Sequence, residues 1–475
     1  MRALSLERLR LLLALGAILL SAAVPFFAGQ QEMILLLGLI GGIGIGALFL
    51  YNHYLGYVVL IISSQLIPFE IGTGTQTGIN PTVVMVILLA GIWFMDAIII
   101  KRDTSFIFSS VYIPLFGLVV SVFLSFWVGQ MRWYPVSGAP LRAQIGGVGI
   151  FVLSAMIFLA AAHQIKDFAW LERLCWIFLG TGAFYLIGYH YIYNIAPAAG
   201  RLLAPMFRQG AAGAVFWVWL MVIPYSQLLI NNRLRPIPKL LIGILLAAVL
   251  HIRVLETRSW TSGWLPAIIG ILAITLVRLR RAAVIIGLLG LTGAALSYDW
   301  IIQAILEENL YSQTTRLEAW KLIIEMVKVS PVFGLGPANY YWYAPLFNIM
   351  GFHVPFSSHN NYIDLFAQTG IVGLVFYLWF FIAVGVMTLR MADRVPEGFL
   401  NAYVYGCIGG IAGSLAAGIL GDWVLPFVYN IGLLGFRSSV FTWLFLGGLL
   451  AINHQVFRVW RRPGSLTPAL PANRE

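Results

Sequence analysis

Apolar runs long enough to cross a lipid bilayer recur along almost the entire chain, and no other feature narrows its fold so far. A helix needs about 20 apolar residues to traverse ~30 Å of hydrocarbon. Such runs lie near residues 9–28, 33–50, 54–69, 82–100, 110–128, 145–163, 169–194 and 210–230, and again near 236–252, 260–277, 282–299, 362–389, 401–420 and 436–453. Composition agrees: 60% of the 475 residues are hydrophobic and 10% are charged, against roughly 45–50% and about 25% in a soluble domain. Backbone in lipid must satisfy its own hydrogen bonds, which helices do segment by segment. The expected fold is therefore all-α, a polytopic transmembrane helical bundle of about 12–14 spans, forming one integral membrane domain over residues 1–475. The glycine-rich pair 33–50 and 54–69 could instead be a re-entrant unit.

The first run follows a basic segment, Met1 to Arg10, and so imitates a signal peptide; its apolar stretch is too long for one and reads as a retained first span. Cys175 and Cys407 are distant in sequence and sit in apolar runs, where they act as small apolar side chains. The net charge of +11 comes from short basic clusters between spans, a pattern that encodes membrane orientation and excludes a nucleic-acid partner. With the N-terminus cytoplasmic, the inside connections carry Lys101 and Arg102, Lys166 and Arg173, Arg233, Arg235 and Lys239, Arg278, Arg280 and Arg281, Arg390 and Arg394, then Arg458, Arg461 and Arg462. Residues 463–475 form a flexible cytoplasmic tail. Basic residues on the other side oppose this bias and are candidates for holding an anion there: Arg132, Arg142, Arg201, Arg208, Arg253, Arg258, Arg316, Lys321, Lys328 and Arg437.

One connection is long, 300–361, and loops of that size usually have structure or function. Thr315-Arg316-Leu317-Glu318 reads as a capping box that starts a helix. Leu317, Trp320, Ile324 and Val327 then form an apolar stripe opposite Arg316, Glu318, Lys321, Glu325 and Lys328, and Pro331 ends the helix. Such an amphipathic helix would lie on the outer membrane surface or roof the bundle.

Next come Pro331-Val332-Phe333-Gly334-Leu335-Gly336-Pro337, then His359-Asn360, Gly370 and Gly373. The Gly-x-Gly follows a helix rather than a strand, so it is not a dinucleotide fingerprint. Together with Arg316 and Trp320, this string closely resembles the signature of the O-antigen ligase and polymerase family, enzymes that transfer lipid-linked glycans in bacterial surface polysaccharide assembly. The resemblance is strong over residues 314–375 and fainter over 200–265. It implies one arginine before a span and another at the start of a later one. Arg258 resembles the second, while the first is either Arg201 or Arg208, since Arg208-Gln209-Gly210 replaces the family's usual continuation.

The residue types suit that chemistry. Guanidinium forks match phosphate oxygens and stabilise a departing diphosphate, a task for Arg201, Arg208, Arg258 and Arg316. A sugar hydroxyl attacks once its proton is accepted, and His359, at the mouth of a span, has the right unperturbed pKa for a general base. His353 lacks an adjacent asparagine. Asn360, Asp364, Gly334 and Gly336 are read as supporting residues, with Asp364 able to orient His359 or simply to meet the helix N-terminus; Asn339 and Tyr340 shape the turn. The acidic residues are scattered, so neither metal nor cofactor is expected. The partners implied are an undecaprenyl-diphosphate-linked glycan as donor, the lipid A core or a second lipid-linked glycan as acceptor, and the bilayer itself, with the site facing the periplasm or outside of the cytoplasmic (inner) membrane. The competing class is a flippase or transporter of lipid-linked saccharide, which would place ionisable residues at the midplane of several spans.

Overall fold

The computed structural model describes residues 51–72, 78–97, 109–192, 213–257, 260–279 and 310–458, with isolated positions between them. The expected spans 9–28 and 282–299, nearly all of 33–50, and the tail lie outside the described residues. The described chain is a helical bundle. In order its helices are α1 (His53–Leu66), α2 (Pro81–Met95), α3 (Tyr112–Val128), α4 (Leu141–Gln164), α5 (Phe168–Leu186), α6 (Ala214–Ile230) and α7 (Pro236–Leu250). There follow α8 (Leu265–Arg278), α9 (Leu310–Val327), the short α10 (Asn339–Tyr343), α11 (Asn361–Ala392), α12 (Phe399–Leu420) and α13 (Gly432–Arg458). Among the described residues the only strands are β1 (Ile71–Gly72) and β2 (Gly78–Ile79), an antiparallel pair.

Local sequence sets the helix starts. Asn52, Asn80, Asp167 and Asn360 cap α1, α2, α5 and α11 by accepting from backbone N–H groups of the first turn, and Pro81 and Pro236 sit where a missing N–H costs nothing. Among the described residues six helices are long and apolar enough to cross a membrane. Of these, α13 is the bundle's axis, with 94% of its most apolar window buried. At the periphery, α11 exposes Ile371, Val375, Leu378, Ile382, Val386 and Leu389 on one stripe, and α7 exposes Ile237, Leu240, Leu241 and Ile244; in this fold those faces meet lipid.

Arg437, one turn into α13, is fully buried. Its guanidinium donates to the Ser63 and Ser64 carbonyls (both 3.1 Å) and to that of Ile67. These carbonyls end α1, where a helix lacks donors and carries negative partial charge. Arg437 is thus a helix cap and not one of the surface cations that the outside basic residues suggest.

The bundle has two chemically distinct ends. His359 precedes α11, whereas Arg390 and Arg394 lie at its C-terminus, 32 residues on and so about 45 Å away at 1.5 Å per residue. At that far end Asn232 donates to Glu397, Arg278 lies over the Tyr405 ring, and Gln455 donates to the Ile165 carbonyl beside Lys166. The basic connections assigned to the inside therefore gather, among the described residues, at the end remote from His359.

Between α9 and α11 the chain does something that periodicity does not show. At Gly370 α11 is broken, with φ 64° and ψ −166°, a conformation open essentially to glycine alone. The Pro331–Pro337 turn fills the break. Leu335 and Gly336 N–H donate to the Ala367 and Gln368 carbonyls (2.8 and 3.2 Å), while Ile371 and Val372 N–H donate to those of Pro331 and Val332 (2.9 and 3.2 Å). Backbone groups freed by the break are thereby satisfied, as lipid requires. Gly334 (φ 73°) and Gly336 (φ 90°) admit this approach: a Cβ on the first would lie 2.6 Å from Gly370 N, and on the second 2.6 Å from the Gly129 Cα.

Two expectations for α9 are corrected. The helix is already under way at Leu310, so Thr315-Arg316-Leu317-Glu318 lies inside it and is not a start. Its buried side is Ala319, Ile323, Met326 and Val327, whereas Leu317 and Ile324 are exposed. Arg316, expected on the opposite face, is half-buried on the inward side together with the stripe residue Trp320.

Candidate active site

Asn360, Asn361 and Ser358 fix the backbone around His359. Asn360 Oδ1 accepts from Tyr362 and Ile363 N–H (2.9 and 3.3 Å), and its Nδ2 donates to the Ile419 carbonyl at the end of α12 (3.2 Å). Asn361 clamps the α12–α13 loop, accepting from Val424 N–H (2.8 Å) and donating to the Leu425 carbonyl (2.7 Å). Trp320 Nε1 of α9 donates to the Ser358 carbonyl (2.7 Å). Held from three sides, His359 adopts φ 49°, a strained conformation for a side-chain-bearing residue, persisting where its surroundings over-determine it.

Beneath it lies a buried carboxylate network. Asp364 Oδ1 accepts from the Tyr340 hydroxyl (2.5 Å) and from Ser358 Oγ (2.7 Å), and Ser358 Oγ accepts from Asn360 N–H (2.9 Å). The other oxygen of Asp364 has no hydrogen-bond partner. Tyr340 stacks on Phe427 with centroids 4.6 Å apart, and burial beside Asp364 pushes its phenol well above the ordinary value. Asp364 thus ties loop to helix and does not bond His359. Asn339 likewise works inside the fold, accepting from Ala139 N–H (2.9 Å) and donating to the Gly129 (3.0 Å) and Leu335 (2.8 Å) carbonyls.

The partner of His359 is Asn430, in the α12–α13 loop. Asn430 Nδ2 lies 3.0 Å from His359 Nδ1 and also donates to Asp422 Oδ1. Asp422 is fully buried, and its second oxygen accepts from Phe427 N–H (2.7 Å). Burial pushes the Asp422 carboxyl up to about 6, against the hydrogen bonds that favour its anion. The half-buried Arg316 guanidinium interacts electrostatically with both His359 and Asp422. Burial first, and Arg316 second, hold the His359 imidazole below its ordinary value, which favours the uncharged ring.

Of the residues singled out from sequence, the structure brings His359, Asn360, Asp364 and Arg316 together and assigns Gly334 and Gly336 to the lock that seats their loop. Arg201, Arg208 and Arg258 lie outside the described residues. His353 is exposed and its Nδ1 is 3.0 Å from the Pro345 carbonyl, away from the network. Sequence alone does not single out Asp422 or Asn430: the first is one of the scattered acids and the second belongs to no motif. Their one legible signal is position, since two spans on, their loop returns to the end from which α11 starts.

Fold and site together define a multi-pass helical membrane protein with a histidine, an arginine and a buried acid gathered at one end of the bundle. Residues 206–378 match the family model described as O-antigen ligase. The match covers a little over a third of the chain and agrees with the resemblance that its motifs carry. The matched segment runs from before α6 into α11 and stops short of Asp422 and Asn430. No curated protein matches the chain.

Proposed function

We propose that the protein moves a glycan from undecaprenyl diphosphate to an acceptor hydroxyl at the outer face of the bacterial inner membrane. The observation that carries this reading is the grouping of His359 with the Arg316 guanidinium at the end of the bundle remote from the basic connections. By the positive-inside bias that end faces away from the cytoplasm.

In the reaction His359 accepts the acceptor's proton as its oxygen bonds the anomeric carbon, and the bond from that carbon to the diphosphate breaks. Undecaprenyl diphosphate departs with the electron pair, and one displacement inverts the anomeric centre. Arg316, with Arg258 and Arg201 or Arg208, supplies the positive charge that the leaving group needs, in place of a metal ion. The acceptor is a lipid A core sugar in a ligase, or a second lipid-linked glycan in a polymerase.

The test reconstitutes purified protein with lipid-linked glycan and candidate acceptors and weighs the products. One added block identifies ligation and a ladder identifies polymerisation; glycan translocation without a new glycosidic bond refutes the enzyme reading. His359→Ala is expected to lower transfer by about 10²–10⁴-fold, the usual contribution of a general base.

A further inference from the structure

The contact between Asn430 and His359 poses a chemical question, because a neutral imidazole has one N–H and one lone pair. An amide nitrogen can only donate. With Asn430 Nδ2 directed at both Asp422 Oδ1 and His359 Nδ1, Nδ1 must supply the lone pair, so the ring proton sits on Nε2. That ring can donate from Nε2 but cannot accept a proton there. The reverse arrangement is equally self-consistent. If Asp422 carries a proton, the amide turns over, and its carbonyl oxygen accepts from the Asp422 hydroxyl and from His359 Nδ1–H together. The Nε2 lone pair is then free to act as a base.

We propose that Asp422 and Asn430 are positioning residues that set the tautomer of His359: the protonated Asp422 carboxyl, through the Asn430 amide, holds the imidazole in its base-competent form. The inference rests on His359 being the base and adds what decides whether it can serve. The proton count is simple. Asp422 takes up one proton, while the ring exchanges its Nε2 proton for one on Nδ1, so one proton is gained in all.

Geometry supports the coupling. Asp422 is fully buried and Asn430 half-buried, so the carboxyl meets the ring through the amide. Its other oxygen accepts from Phe427 N–H, and the Asp422 and Ile431 backbone N–H groups also bond the carboxyl, while the Asn430 amide joins Oδ1 to the ring. Among the described residues the titratable and charged groups facing this link are Arg316 from α9, Asp364 from α11 and Tyr340 from α10. Arg316 opposes a charged ring, and Asp364 opposes a second carboxylate at Asp422. The value of about 6 for Asp422 puts the exchange in an accessible range.

Nitrogen-15 NMR of histidine-labelled protein in nanodiscs reads the tautomer directly, with the His359 signals assigned by their loss in His359→Gln. Between about pH 8 and about pH 5.5 the wild-type ring is expected to pass from the Nε2–H to the Nδ1–H form. Asp422→Asn, whose amide can imitate the protonated acid, is expected to hold the Nδ1–H form throughout. A wild-type ring that stays Nε2–H over the whole range overturns the proposal, and this holds even if Asp422→Asn fails to fold. A folded Asp422→Asn protein that titrates like wild type also overturns it.

Transfer measured with lipid-linked glycan from the producing cells gives a second readout. From pH 6 to pH 8 the protonated fraction of a group titrating at about 6 falls about fifty-fold, so wild-type transfer should fall along that limb and Asp422→Asn should lose the limb. If transfer needs His359 but both proteins share the same alkaline limb, the tautomer proposal fails and the base assignment stands. If His359→Ala transfers fully, the functional reading fails, and the NMR titration alone judges the tautomer.

Discussion

Replacing Gly370 with alanine tests the interlock between the turn and α11, and its size follows from the geometry. At φ 64° and ψ −166° a residue with a Cβ carries about 1–3 kcal/mol of strain. The new Cβ would lie 2.2 Å from the Val332 carbonyl oxygen and 2.6 Å from Gly334 N. Both are backbone atoms that cannot swing aside as a side chain would. Relief requires the turn to withdraw, losing the donations from Ile371 and Val372 N–H at about 1 kcal/mol each. The expected penalty is about 3–5 kcal/mol, a factor of at least about 100 against the docked turn. Gly385→Ala, in the same helix with open space at its Cβ, should be neutral or stabilise by about 0.5–1 kcal/mol. Thermal unfolding of detergent-purified protein, paired with the transfer assay, compares the two. If Gly370→Ala matches Gly385→Ala in both midpoint and activity, the lock does not hold the site in place.

Arg316→Ala removes a cation that holds the His359 value down; the imidazole's value then rises, so the acid limb of the kcat/KM profile should move to higher pH, and an unmoved limb would separate the two residues. Tyr340→Phe deprives buried Asp364 of a donor at 2.5 Å and should destabilise the protein by about 1–3 kcal/mol, readable as a lower unfolding midpoint. Arg258→Ala is expected to raise the KM for the lipid-linked donor, whereas Arg278→Ala, over Tyr405 at the far end, should leave it unchanged; equal effects would refute the sidedness argument.

The bundle was legible because lipid leaves the backbone few choices, so apolar runs translate directly into helices. The α9 face was not. Leu317 and Ile324 were assigned to the buried stripe by spacing, yet at a membrane boundary an apolar side chain need not seek protein, and the smaller Ala319 permits the closer packing. His359 and Arg316 were legible through motif and sidedness. Gly334, Gly336 and Gly370 were visible as letters, but their joint task depends on one positive φ in the middle of a helix, which has no periodic trace. Asp422 and Asn430 were invisible for a different reason: a lone acid and a lone amide in a short loop acquire meaning only when the loop is folded back onto His359.

The capping of α1 by Arg437 bears on how the molecule is made. Donor and acceptor are separated by 373 residues, so while the chain emerges from the insertion machinery the first described helix must wait, its end without the arginine's donors, until the last is delivered. Shortening the protein before α13 would therefore do more than remove one span. It would leave α1 without its cap, and such truncated products are expected to be recognised and degraded in the membrane.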